Sequence, residues 1–311
     1  MNNDLVTINT DNYAAMAKAM GLTTNTGESK RTNVLNRLRV WHQPTMGKDV
    51  NSKGKEITTE IIEGGCYRLE IVGDTSSTYY FARKAKFRPF AQRYMYKRYV
   101  QNTQAKDGEK KGVYHKTIMS DNLNIDLKDS AGTFNCGKPA GYVKDFQALP
   151  KEMQELIKSI KRNRCVFGVV EMLSPVQESD GKETDKLHKV PVLWEIDNRD
   201  AYKAMGDIFT KFSKMERLPL QHIINLDETE EFSTNTGNKF YLPNMQLDLT
   251  NKLDIVDEDH KMFGDFMDWI KIHNDRVVAS WDDIVATNQG AVSEKDMQLV
   301  NDFVDVDLNE K

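Results

Sequence analysis

Apolar and polar residues alternate through 66–71, where Tyr67, Leu69 and Ile71 share one side of a strand that follows the turn Gly64-Gly65. Residues 79–90 and 93–100 are β-prone and joined near Pro89. A polar loop, 102–112, separates them from a strand over 113–118, and alternation returns at 123–127. The period then changes. Residues 149–162 predict a helix opened by Pro150, with Met153, Leu156, Ile157 and Ile160 on one face. A buried strand over 165–170, a polar loop over 177–189 and a strand over 190–196 follow. The spacing of Tyr202, Met205, Phe209 and Phe212 predicts a helix over 199–215.

Two strands, 222–226 and 239–249, bracket the turn Asn235-Thr236-Gly237-Asn238 as a hairpin. Met262, Phe263, Phe266, Trp269 and Ile270 mark an amphipathic helix. Ser293-Glu294-Lys295-Asp296 has the form of a capping box before a last helix carrying Met297, Val300 and Phe303. At the other end, Asp11 caps a short helix over 12–20 that Gly21 stops, with a Thr/Asn/Gly-rich linker behind it. The expected organisation is an N-terminal arm (1–35), a β-rich core with inserted helices (36–250) and an acidic helical region (251–311). This order predicts an α+β fold built on an antiparallel barrel or strongly curved sheet, not a parallel βαβ series.

Composition leaves this picture in place. The 311 residues are 39% hydrophobic and 29% charged, as expected of a chain that buries a core. No apolar run reaches the roughly 20 residues of a membrane span, and the first residues lack the pattern of a secretory signal, so a cytoplasmic location is expected. Cys66, Cys136 and Cys165 are odd in number and far apart, which argues against a disulfide framework and, with scattered histidines, against a structural zinc site.

Charge changes the picture more. The net charge of −4 hides a division: residues 79–116 carry eleven Lys/Arg against Asp107 and Glu109, a local +9, while 251–311 carry −9. The basic stretch also holds nine of the chain's 28 Phe, Trp and Tyr residues. Single-stranded nucleic acid needs this mixture, because cations follow the phosphates and aromatic faces stack bases at ~1–3 kcal/mol each. On a strand Lys84, Lys86 and Arg88 share one face, and Phe87 takes the other with Arg83. A core-facing aromatic row behind a solvated basic face accounts for the same pattern. A second basic group, Lys158, Lys161, Arg162 and Arg164, falls at the end of the helix expected over 149–162, where it complements the helix dipole or lines the same groove.

Other motifs carry less. Gly132-Thr133-Phe134-Asn135-Cys136-Gly137-Lys138-Pro139 has the glycines and lysine of a phosphate-binding loop. Pro139, however, stands where the magnesium-binding hydroxyl belongs, so a glycine-rich turn is the better account. Asp257-Glu258-Asp259 and Asp302, Asp305 and Asp307 are acidic enough for a magnesium site, but read as solvated helix-end charge. Cys165 lies in an apolar run and reads as core. No catalytic constellation, metal site or cofactor motif emerges, and the chain reads as a non-enzyme.

The basic aromatic strands, the N-terminal arm and the acidic C-terminal region together resemble the single-stranded DNA-binding proteins of bacteriophages. That resemblance covers residues 57–311 and implies an OB-like β-barrel, cooperative coating of single-stranded DNA, and service to replication and recombination in a bacterial host cell. It also implies replication proteins as partners of the acidic end and self-association through the arm. By the same resemblance, Arg83, Lys84, Lys86, Phe87, Arg88, Arg93, Tyr94, Tyr96, Lys97 and Arg98 line the groove, with Lys161 and Arg162 beside them. The family's zinc knuckle has no counterpart, and the terminus ends in Lys311. The competing readings are a virion or assembly structural protein, whose basic face packs on partner subunits, and a metal-dependent nuclease.

Overall fold

The computed structural model of the protein describes residues 35–50, 55–73, 75–101, 112–122, 145–179, 181–185, 187–234 and 236–287, with side chains given to 279. The segments expected as a helix at 12–20, a strand at 123–127, the glycine-rich turn at 132–139 and the last helix near 293–303 lie outside these residues, as do Asp302, Asp305 and Asp307.

The described residues form a mixed α+β structure dominated by one sheet. Its strands are β1 (Asn36–Val40), β4 (Tyr67–Val72), β5 (Ser77–Ala82), β6 (Lys84–Gln101), β7 (Gly112–Lys116), β8 (Ile160–Leu173), β9 (Val176–Gln177), β10 (Leu187–Ile196), β11 (Ile223–Ser233) and β12 (Lys239–Asp248). They pair in the order β12-β11-β6-β8-β10-β1-β4-β5-β9, with β7 added to β6. A separate hairpin pairs β2 (Thr45–Val50) with β3 (Glu56–Ile62), two strands the sequence pattern left unmarked. The helices are α1 (Lys151–Ser159), α2 (Arg199–Lys214) and α3 (Asp257–Thr287).

Among the described residues the strand path is open, so a closed barrel gives way to the curved-sheet alternative. Its two limbs meet through side chains. Tyr67 Oη donates to the Asp227 carbonyl at 2.9 Å, Thr229 Oγ1 to the Gly65 carbonyl at 2.6 Å, and the Tyr241 amide to His42 Nδ1 at 3.1 Å. One pair is parallel. β1 runs alongside β10, and the Asn36 side chain ties the start of β1 to both neighbours by donating to the Pro191 carbonyl and accepting from the Val72 amide, each at 3.0 Å.

Both faces of the sheet are apolar at its centre, because β6, β8 and β10 alternate apolar residues toward two layers. On one face Phe87, Val166, Val170, Trp194, Ile224 and Leu226 pack with Met205, Phe209 and Phe212 of α2. On the other, Phe90, Met95, Cys165, Phe167 and Leu193 pack with Phe266 and Ile270 of α3. The acidic C-terminal region through α3 is therefore part of the core packing. Cys66 and Cys165 are buried free thiols, and burial pushes the Cys165 pKa well up. No described helix is long and apolar enough to cross a membrane.

Two features position the site. The β6–β8 register shifts between Pro89 and Ala91, a bulge in the long strand where proline has no amide to donate. Gly168 of β8 lies opposite, and any side chain there would run into the Arg88 carbonyl and the Phe87 ring. The extra residue inverts the alternation. Lys84, Lys86 and Arg88 therefore share their face with Arg93 and Lys97, while Tyr94, Tyr96 and Arg98 take the face of Phe87.

The second feature corrects an expectation. The helix expected to run to Arg162 stops at Ser159, and residues from Ile160 onward extend β8, because β6 is long enough to offer them ladder partners. The strand expected at 222–226 likewise reaches Ser233, and α3 runs far beyond the expected stripe at 262–270.

Candidate functional site

The residues expected to line a groove divide at the bulge. Upstream of it they are occupied. Arg83 pairs with Glu63, Lys84 with Asp227 at 3.5 Å and Lys86 with Glu171 at 4.0 Å. Phe87 is fully buried and meets Trp194 edge-on at 5.6 Å, so it offers no face to a base. Arg88 holds both carboxylate oxygens of Asp259 and also donates to the Leu220 carbonyl. Asp259 is thereby a structural carboxylate and not a solvated helix-end charge. Just beyond the bulge, Arg93 turns under α3 toward Met267 Sδ. Tyr96 is 2% exposed and belongs to the interior. For Phe87, Arg88 and Tyr96 the expected ligand contact is corrected to a packing role.

Downstream, three neighbouring strands bring cations together. Lys97 lies opposite Lys116 of β7 and Lys161 of β8, Tyr96 opposite Arg162, Tyr94 opposite Arg164 and Arg98 opposite His115. Lys161, Arg162 and Arg164 of the second basic group thus stand on the strand beside the first, while Lys158 keeps its expected place in the last turn of α1.

On one face Arg164 lies between two rings, 4.4 Å from the Tyr202 centroid and 5.0 Å from that of Tyr94, and donates to Tyr94 Oη at 3.1 Å and to Gln92 Oε1. It is 7% exposed and has no carboxylate in ion-pair range among the described residues. The two π faces and the Gln92 and Tyr94 oxygens together answer its charge. Gly206 of α2 admits it, since a Cβ there would come within 2.6 Å of Nη2. Arg162 is exposed beside it, 5.9 Å from the Tyr202 ring.

On the opposite face Tyr99 and Tyr114 pair across β6 and β7, with centroids 5.0 Å apart, and are 41% and 48% exposed. Lys97 Nζ lies 5.5 Å from the Tyr114 ring. Lys97 also bonds Asp197 at 3.0 Å and Lys116 bonds Glu195 at 3.2 Å. Burial works to raise the pKa of Glu195, and Lys116, Arg37 and Lys97 outweigh it, holding the carboxyl below its ordinary value. Asp197 is depressed in the same way, burial being overcome by Lys97 and Lys161. Both carboxylates are therefore ionised partners of the lysines they bond.

Tyr99 and Tyr114 were not singled out as ligand contacts in the sequence, although both lie on segments read as strands. The only signal available was that each falls near a strand end, where the sheet's covering layers run out. Among the described residues no three His, Cys, Asp or Glu side chains gather as metal ligands. The chain matches no family model, and neither the curated proteins nor the solved structures gave a match.

Proposed function

We propose that this protein binds single-stranded nucleic acid, single-stranded DNA in the reading the sequence favours, across the ends of β6, β7 and β8, and that it acts as a coat and not as an enzyme. The observation that carries the reading is the exposed Tyr99–Tyr114 pair, which shares its face with Lys161 and with Lys97 and Lys116 in their ion pairs, while Arg162 is exposed at the same strand end on the other face. Stacking on two rings needs unpaired bases, and cations on either side follow a phosphate backbone. A duplex hides its bases and offers the rings nothing. In this reading an open sheet end takes the part that the OB-like barrel plays in the resembled phage proteins. Service to replication and recombination, contacts of the acidic end with replication proteins, and self-association through the arm belong to the same proposal.

The test is fluorescence anisotropy with one oligonucleotide, single-stranded and annealed to its complement, over a series of salt concentrations. The single strand should bind more tightly. With three to four phosphates neutralised, the logarithm of its affinity should fall with a slope of about −2 to −3 against the logarithm of salt. Equal or tighter binding of the duplex defeats the reading.

A further inference from the structure

We propose that Arg39 and Arg68 form a phosphate clamp, held in place by Trp41 and Tyr79, that takes a second stretch of the same nucleic-acid strand on β1, β4 and β5. It rests on the reading that the chain binds a single strand at the end of β6, β7 and β8.

Arg39 and Arg68 are directly opposite in the antiparallel β1–β4 register. Like charges in that position repel and weaken a sheet, so the pair needs an anion to be neutral in cost. The neighbouring position shows the ordinary solution, with Arg37 opposite Glu70. Elsewhere Arg83 and Arg88 are answered by Glu63 and Asp259, whereas neither Arg39 nor Arg68 has a carboxylate within ion-pair distance among the described residues. Glu70 and Glu178 act on Arg68 only at longer range, and burial, with Arg39 second, pushes its pKa down.

The Arg68 guanidinium lies 3.9 Å from the Trp41 ring centroid and 4.9 Å from that of Tyr79. These rings hold the fork flat and in place, the preorganisation that bidentate phosphate binding uses. Arg68 Nε and Trp41 Nε1 are both buried donors without an acceptor among the described residues.

The clamp is also continuous with the site on β6. A cleft of about 370 Å³ at the ends of β1 and β10 is lined by Arg39, Trp41, His42 and Lys97 together with Glu195 and Asp197. In strand order β4 is four places from β6, about 19 Å at ~4.8 Å per strand, which a few nucleotides cross.

The experiment compares wild type, the Arg39→Gln/Arg68→Gln variant and the Tyr99→Ala/Tyr114→Ala variant with an oligonucleotide of about 16 nucleotides, the upper end of a single binding module. Affinity is measured by anisotropy across salt, and stoichiometry by titration. The arginine variant should lose about tenfold in affinity, and its salt slope should shrink by about 1.4, the value of two phosphates on a single strand. Binding by the arginine variant equal to wild type overturns the clamp while leaving the reading of β6 intact. A loss in the arginine variant with none in the tyrosine variant keeps the clamp and removes the site on β6. Two oligonucleotides per protein overturn the continuous path, and no binding by wild type overturns both. Arg39→Gln leaves the Trp41–Arg68–Tyr79 stack in place and carries the test if the double variant does not fold.

Discussion

Arg88 donates from Nη1 and Nη2 to the two carboxylate oxygens of Asp259, at 2.7 and 2.9 Å. Asp259 also accepts the Val256 amide at 3.0 Å, so one carboxylate ties β6 to the first turn of α3. Both side chains are largely buried, at 16% and 9% exposure. Removing one member of such a pair strands the other charge, which typically costs roughly 3–5 kcal/mol.

Arg88→Met should therefore lower thermal stability by about 3 kcal/mol and leave the affinity of the folded protein for a single strand unchanged. Thermal unfolding and anisotropy on the same sample check this. A normal melting temperature with weakened binding would return Arg88 to the ligand site. Burial works to raise the Asp259 pKa and the Arg88 bond outweighs it, leaving it depressed. The contribution of the pair is thus present above the ordinary carboxylate pKa of about 4 and is lost as pH falls through the lower folded value.

At the end of the sheet, rings and cations should separate by their response to salt. Tyr99→Ala and Tyr114→Ala should each weaken single-strand binding by about 1–3 kcal/mol with the salt slope unchanged. Lys161→Ala and Arg162→Ala should each flatten the slope by about 0.7. All four positions are exposed, so melting temperatures should stay near wild type. A change of slope with the tyrosine variants would mean that they act through the neighbouring lysines.

Gly206 stands in the middle of α2, where alanine would ordinarily gain about 1 kcal/mol of helix propensity. Here the added Cβ meets Arg164 Nη2, held between Tyr94 and Tyr202. Gly206→Ala is expected to lower the melting temperature, and an increase would show that Arg164 yields without loss.

His273 of α3 stacks on Trp269 at 5.5 Å, and burial first, with Lys116 and Arg276, pushes its pKa down to about 4. An unfolded histidine titrates near 6.5, so the unfolded chain takes up a proton that the folded one refuses. Stability from this group is complete above about pH 6.5 and is lost progressively toward pH 4, by roughly 3 kcal/mol in all. Denaturant titrations of wild type and His273→Gln across that range should show a shallower pH dependence for the variant.

Much of the fold is written locally. The stripe Met205, Phe209 and Phe212, the cap Asn198 whose side chain accepts the Asp200 and Ala201 amides, and the alternation at Tyr67, Leu69 and Ile71 each depend on neighbours in sequence. The concentration of positive charge and rings in 79–116 is likewise a property of the chain by itself. Which of those rings meets water is not. The bulge after Pro89 reverses the alternation, placing Tyr96 in the interior and Tyr99 at 41% exposure, though the two are three residues apart on one strand. Residues 160–162 carry a helical pattern yet form a strand, because β6 supplies hydrogen-bond partners from more than sixty residues away. The opposition of Arg39 and Arg68, and of Lys97 and Lys161, rests on register between strands distant in sequence. Periodicity encodes which side of an element is apolar. Register and neighbour are settled by long-range pairing, and they decide which cations are neutralised and which remain to hold a ligand.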